Sequence, residues 1–270
     1  MKQMTLLAIT LLNTNLVLAA SPWLPAPQSF SASFSQVSQS DDEFWKGRDK
    51  ETLKAKLSLD TTWLNFSYGI SDNLSTDLRL GYAETDYDPL GSESGQTDSL
   101  LGINWRFQDE FIHNGIPSMV LRLAATVAGD YETDQVNSIG DGASGLESSL
   151  LIGKILSPKI ALASEGGYRF RNKDVPNEIF VNLTSYFQIV RGFSVSAAYH
   201  VIESFGETDI TDSDFSGDFS TLAENRQTAN LGVSYQFFKK FNAAANYAKV
   251  VKGRNTSKID IFGLTLSAAF

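Results

Sequence analysis

The sequence predicts an all-β protein, a transmembrane antiparallel up-and-down β-barrel of about 12 strands with short periplasmic turns and longer extracellular loops. Three observations predict it. An apolar leader opens the chain, segments of about ten residues alternate strictly between apolar and polar positions, and aromatic residues gather at both ends of the apolar faces.

The leader runs from Met1 and Lys2 through an apolar stretch, Leu6 to Leu18, broken by Asn13 to Asn15 and followed by Ala19 and Ala20. It is too short for a spanning helix and ends in small residues suited to cleavage. Residues 1–20 are therefore expected to be a signal peptide and residues 21–270 a single outer-membrane barrel domain, because no Pro/Gly/Ser-rich linker interrupts the middle. No later run approaches the roughly 18 consecutive apolar residues of a membrane helix, so an exported chain of this kind is soluble or crosses a membrane as strands. The net charge of -9 excludes nucleic acid as a partner, since phosphate binding needs clustered Lys and Arg. The absence of cysteine leaves strand pairing and burial to hold the fold.

Alternation places strands near 28–38, 54–70, 74–86, 97–108, 118–131, 145–156, 159–172, 178–190, 193–205, 224–238, 241–252 and 258–270. The last strand shows the pattern well: Phe262, Leu264, Leu266, Ala268 and Phe270 share one face, with Gly263, Thr265, Ser267 and Ala269 on the other. Strand ten repeats it with Ala229, Leu231, Val233, Tyr235 and Phe237 outward. The second strand is over-long and slips phase around Asp60 to Thr62, which predicts a bulge or a portion projecting beyond the membrane. The sixth is apolar in both phases from Leu150 to Ile152, so alternation alone leaves its register open.

Long connections are expected at Asp41 to Thr52, Tyr87 to Gln96, Glu132 to Ser144, Lys173 to Asn177, Gly206 to Ala223 and Gly253 to Ser257, with tight turns between them. Outward Trp105, Phe107, Phe187, Phe193, Phe237, Phe241 and Phe270 form one aromatic girdle, and Tyr82, Tyr131, Tyr168 and Tyr199 the other. A secreted β-sandwich also alternates, but it has no need of ordered girdles or so polar an inner face.

Phe262, Leu264, Leu266 and Phe270 resemble the terminal strand of outer-membrane barrels, which implies an assembly signal read by the barrel-assembly machinery. Phe34 to Asp49 with Asp42-Glu43-Phe44-Trp45, Gly140 to Gly145, and Gly253-Arg254-Asn255-Thr256 are similar to the outer-membrane channel family named for the meta-pathway of phenol degradation. That resemblance implies a channel-like barrel without naming a solute.

Alternation puts Asp77, Arg79, Arg106, Arg122, Glu147, Glu165, Arg169, Arg171 and His200 on the inner wall. Such charges serve either as a selectivity ladder for polar or anionic solutes or as a salt-bridge network that fills the lumen. Acidic loops, above all Glu203 to Glu224, read as a solvated face; Asp212, Asp214, Ser216 and Gly217 open like a calcium loop, but Ala223 stands where a bidentate Glu is required. No metal or cofactor is expected. The partners expected are outer-membrane lipid and lipopolysaccharide, the assembly machinery and a small solute. A passive channel is the leading reading; a lipid hydrolase would need His113 or His200 beside a nucleophile such as Ser194, Ser196 or Ser234, and an adhesive surface barrel would use the long loops.

Overall fold

A computed structural model describes residues 20–270 apart from positions 89, 114, 214 and 239, so the leader and Asp214 lie outside the described residues. The strands are β1 (Phe30–Lys46), β2 (Asp49–Ser71), β3 (Leu74–Tyr87), β4 (Gly91–Gln96), β5 (Ser99–Gln108), β6 (Ser118–Val127) and β7 (Gly145–Ser157). They continue as β8 (Ile160–Arg171), β9 (Glu178–Val190), β10 (Phe193–Ser204), β11 (Asn225–Phe237), β12 (Phe241–Arg254), β13 (Thr256–Ser257) and β14 (Asp260–Ala269). Twelve of them, all but β4 and β13, pair antiparallel with their neighbours in chain order, and β1 pairs both β2 and β14, which closes the barrel. Closure removes the edges of the barrel wall itself. Among the described residues no helix is long and apolar enough to cross a membrane.

Alternation decides which side chains meet lipid. Leu264, Leu266, Leu231, Ile103, Leu123 and Leu183 project outward, each more than half exposed, while their chain neighbours Thr265, Asn104, Arg122 and Asn182 are buried inside. In water such a surface would be costly; in a bilayer it is the face that lipid covers. At the seam, Phe270 N–H donates to the Phe30 carbonyl at 2.8 Å and Phe30 N–H returns the bond at 3.1 Å. Lys240 Nζ lies 5.6 Å from the centre of the Phe270 ring. The four terminal-strand residues Phe262, Leu264, Leu266 and Phe270 all face outward.

Several sequence expectations are corrected. The stretch from Asp41 to Thr52 is not a loop but the end of a long hairpin, with Glu43 opposite Thr52 and Lys46 opposite Asp49. Tyr87 to Gln96 likewise continues as strand, β4 folding back on β3 from Gly91 opposite Tyr87 to Gln96 opposite Tyr82. The phase slip near Asp60 is no bulge, since β2 keeps register there with both neighbours; its shifts lie at Gly69 to Ser71 against β3 and between Thr52 and Leu57 against β1. Leu64, Tyr68 and Ile70 face outward along its lower part, but above them Asp60 faces outward while Leu57, Leu59 and Trp63 turn toward the lumen. The upper part of β2 thus stands beyond the lipid, where the outer side is the wet one and apolar groups gain by turning in.

In β7 the doubtful register resolves with Leu151 fully buried inward and Leu150 outward. β6 ends at Val127, short of position 131. Tyr131 therefore leaves the outer girdle and lies in the following loop, its hydroxyl donating to Asp98 at 2.5 Å.

Candidate functional site: a two-chambered lumen

The inner wall carries one continuous ionic chain across neighbouring strands. Arg122 on β6 grips Asp77 on β3 with both Nη atoms, at 2.5 and 3.0 Å, and donates to Asn104 Oδ1 on β5 at 3.0 Å. Its Nε lies 3.7 Å from Glu147 on β7, and Glu147 in turn accepts from Arg169 Nη2 on β8 at 2.8 Å. Arg169 also pairs with Glu178 on β9, which is 3.0 Å from Arg171 Nη2. Arg171 then reaches Asp141 in the loop after β6 at 2.7 Å. Gly102 leaves room for this crossing: a Cβ there would lie 2.4 Å from an Arg122 nitrogen, so a side chain would push the guanidinium from its present place.

Glu165 forms a neighbouring branch, accepting from Ser149 Oγ at 2.7 Å and from Asn182 Nδ2 at 2.9 Å. Because that amide nitrogen donates to Glu165, Asn182 Oδ1 is left to accept from His200 Nδ1, which fixes the imidazole tautomer. Ser194 and Ser234 bond each other at 2.8 Å.

Two of the expected lumen arginines stand apart. Arg106 bends to the periplasmic turn, donating to the Asp72 carbonyl at 2.5 Å and pairing with Asp109 at 3.0 Å, and it lines neither cavity. Arg79 forms no salt bridge among the described residues; its Nε donates to Asn65 Oδ1 at 3.0 Å, and its guanidinium lies 5.5 Å from the centre of the Trp63 ring. The chain thus unites Asp77, Arg122, Glu147, Arg169 and Arg171, and adds Glu178 and Asp141, which alternation alone did not single out. Glu178 opens β9, where the period-two pattern has barely begun, and Asp141 belongs to a loop with no period at all.

Two chambers follow from this wall. The outer vestibule, about 450 Å³, lies beneath the extracellular loops, and the inner chamber, about 250 Å³, lies toward the periplasm. Arg79, Leu100 and Arg169 line both, so they form the waist between them.

Loops roof the vestibule. From the 128–144 loop, Tyr131 and the Gly129 amide both donate to Asp98, at 2.5 and 3.0 Å. Burial and the adjoining Asp98 carboxylate push the Tyr131 hydroxyl well above the usual phenol range, so it stays a donor. Asp141, with 43% of its side chain still exposed, is pushed up to about 6 by the surrounding protein, against the pull of Arg171 and with repulsion from Glu224, Glu178 and Asp98. From the 205–224 loop, Asp209 accepts from Arg254 Nε at 2.8 Å, and two hydrogen bonds from Thr211 help Arg254 to bring its carboxyl down to about 2. Asn255 Nδ2 donates to the Ala223 carbonyl at 3.0 Å, and Ala223 is fully buried at the place where a calcium loop would need its Glu.

The periplasmic side is narrowed by a feature the sequence did not announce. The segment 20–29 crosses the mouth as a strap. Near one wall Gln28 N–H donates to the Gly69 carbonyl on β2 at 2.7 Å, and a Cβ at Gly69 would come within 2.1 Å of the Ala26 oxygen, so only glycine lets the strap pass. At the far wall Trp23 is buried against Ala161 and Tyr186, edge to face at 6.3 Å, with Ile155 and Ala163 around it. Trp23 Nε1 donates to Glu110 Oε1 at 2.7 Å, and the other oxygen of Glu110 accepts from Ile155 N–H at 3.0 Å beside Lys154. Ser21, Trp23, Leu24 and Pro25 form the floor of the inner chamber.

The fold has solved counterparts. The COG4313 outer membrane channel from Pseudomonas putida F1 superposes with a TM-score of 0.75 at 15% identity, over 94% of this chain and 100% of that one. The NanC porin matches at 0.57 and 8% identity over 88% and 98% of the two chains, and the KdgM porin at 0.54 and 9% over 88% and 99%. At these identities the likeness establishes the outer-membrane barrel fold. Among curated proteins none matches the sequence. A family model described as "Putative MetA-pathway of phenol degradation" covers residues 49–266, and the chain belongs to that family.

Proposed function

We propose that the protein is a passive outer-membrane channel that lets small polar or anionic solutes move down their gradients. One observation carries the reading: two chambers of mixed polar and apolar lining inside one barrel meet at a waist whose three residues, Arg79, Leu100 and Arg169, belong to both. Most of the lumen charge is tied into the ionic chain, which leaves Arg79 as the guanidinium at the waist with no carboxylate partner among the described residues. A fixed cation in a low-dielectric constriction attracts anions, and salt weakens that attraction. The lumen imidazole supports transport over hydrolysis, because His200 is bonded to the amide of Asn182 while Ser194 and Ser234 hold each other. The test is a planar-bilayer recording on refolded protein. Discrete ohmic steps in KCl, with a reversal potential in a salt gradient that moves toward cations in Arg79→Gln, are expected; a barrel without steps overturns the reading.

A further inference from the structure

The vestibule has an inner surface unlike that of a simple water-filled pore. Along the inward face of β2, Leu57, Leu59 and, past the buried Thr61, Trp63 line the cavity and lead down to Asn65, the residue that holds Arg79. Leu100, opposite Arg79 in register, and Phe44 extend the same apolar wall. Outward Asp60 is exposed and outward Thr62 half-buried, a polar outer face that places the upper part of the strand above the lipid. Membrane burial therefore does not require the apolar side chains, and turning them inward leaves an apolar slope that ends on a guanidinium.

The carboxylates around the cavity are largely engaged. Asp98 is held by Tyr131 and Gly129, Asp141 by Arg171, Glu178 by Arg169 and Arg171, and Glu224 accepts from Thr256 Oγ1 at 2.6 Å. Asp41 stands at the rim, opposite Leu57 in register, eight residues of β1 above the row that joins Ser33, Asn65 and Arg79. That is roughly 26 Å of strand. Asp134 also lines the cavity, from the 128–144 loop. Neither carboxylate pairs with Arg79.

We propose that the vestibule and waist form a transit site for small amphiphilic monocarboxylates, the carboxylate received by Arg79 and the apolar body lying against Leu57, Leu59, Trp63 and Leu100. The assignment rests on the channel reading and narrows it to a solute class. The Nη groups of Arg79 make no hydrogen bond among the described residues and so offer charged donors, while Asn65 anchors Nε and the Trp63 ring lies beside the guanidinium. The vestibule, about 450 Å³, falls within the roughly 300–1,000 Å³ of small-molecule sites. A solute with only one of the two features would leave half of the site unused.

The test separates head from body. In KCl across a planar bilayer, cyclohexanecarboxylate is expected to block the current with a half-blocking concentration roughly tenfold or more below that of acetate, the bare head group, while cyclohexylmethanol, the uncharged body, does not block. Arg79→Gln should raise the value roughly tenfold or more for both carboxylates. Leu59→Ser should raise it for cyclohexanecarboxylate several times more than for acetate, and because it leaves every charge in place it tests the body independently of the head. Equal block by the two acids, or wild-type block in Arg79→Gln, overturns the transit site alone. A barrel that passes no KCl current overturns the channel reading and the transit site with it.

Discussion

Arg79 and Arg122 share a residue type, a wall and a phase, yet their neighbours give them opposite roles. Arg122 is almost fully buried and bridges Asp77 and Glu147, so it belongs to the scaffold. Arg122→Ser would leave Asp77 without its cation and Glu147 with Arg169 alone, which is expected to cost about 3–5 kcal/mol, read as a lower urea midpoint in lipid vesicles. The reversal potential should shift little. Arg79 holds one amide and one ring, so its loss should affect selectivity far more than the urea midpoint. An Arg122→Ser barrel that kept its midpoint while losing anion preference would exchange these two roles. Sequence alternation found both arginines, but it cannot tell a paired guanidinium from a free one, because pairing depends on residues 45 and 25 positions away.

At the scale of the strand, the outward and inward faces follow from period two wherever lipid lies on one side and water on the other. β14 is a clear case, with Leu264 half exposed to the lipid side and Thr265 buried. Leu264→Arg should therefore destabilise the barrel by about 2–4 kcal/mol if it sits near the midplane, and Thr265→Arg by clearly less, measured by urea titration in the same vesicles. The reverse order would mean that the register is inverted. β2 shows where the rule stops. Its apolar side changes faces above Leu64 because the solvent outside has changed from lipid to water, and a sequence read with a single period records that change as a slip.

For the whole molecule, the lumen is defined as much by what crosses its ends as by its wall. The strap puts an indole, bonded to the ion-paired Glu110 of the wall, and three prolines in or beside the periplasmic mouth, while two loops clipped to Asp98, Arg171 and Arg254 narrow the other. Deleting residues 21–26 is expected to raise unit conductance and leave the barrel heat-modifiable on gels, since β1 begins only at Phe30. A conductance equal to that of the intact chain would show that the strap does not limit flow. Trp23→Ala is a different perturbation: it vacates a packed site and removes one of the hydrogen bonds to Glu110, so it should also lower stability, by about 3–5 kcal/mol.

The sequence by itself determined the all-β class, the number of barrel strands, the outward set and most of the inner charges, because each is written in a local alternation that lipid and water impose residue by residue. Even the doubtful stretch from Leu150 to Ile152 carried information, since Leu150 faces outward and Leu151 is fully buried inward, so both phases are apolar there. What only the tertiary structure decided is how those positions meet: that Arg122 is saturated and Arg79 is not, that Arg106 turns to the periplasmic rim, and that segment 20–29 folds back across the mouth. These are contacts between groups 14 to 87 residues apart, made by barrel closure and by loops without a period, and neither propensity nor alternation carries a signal for them.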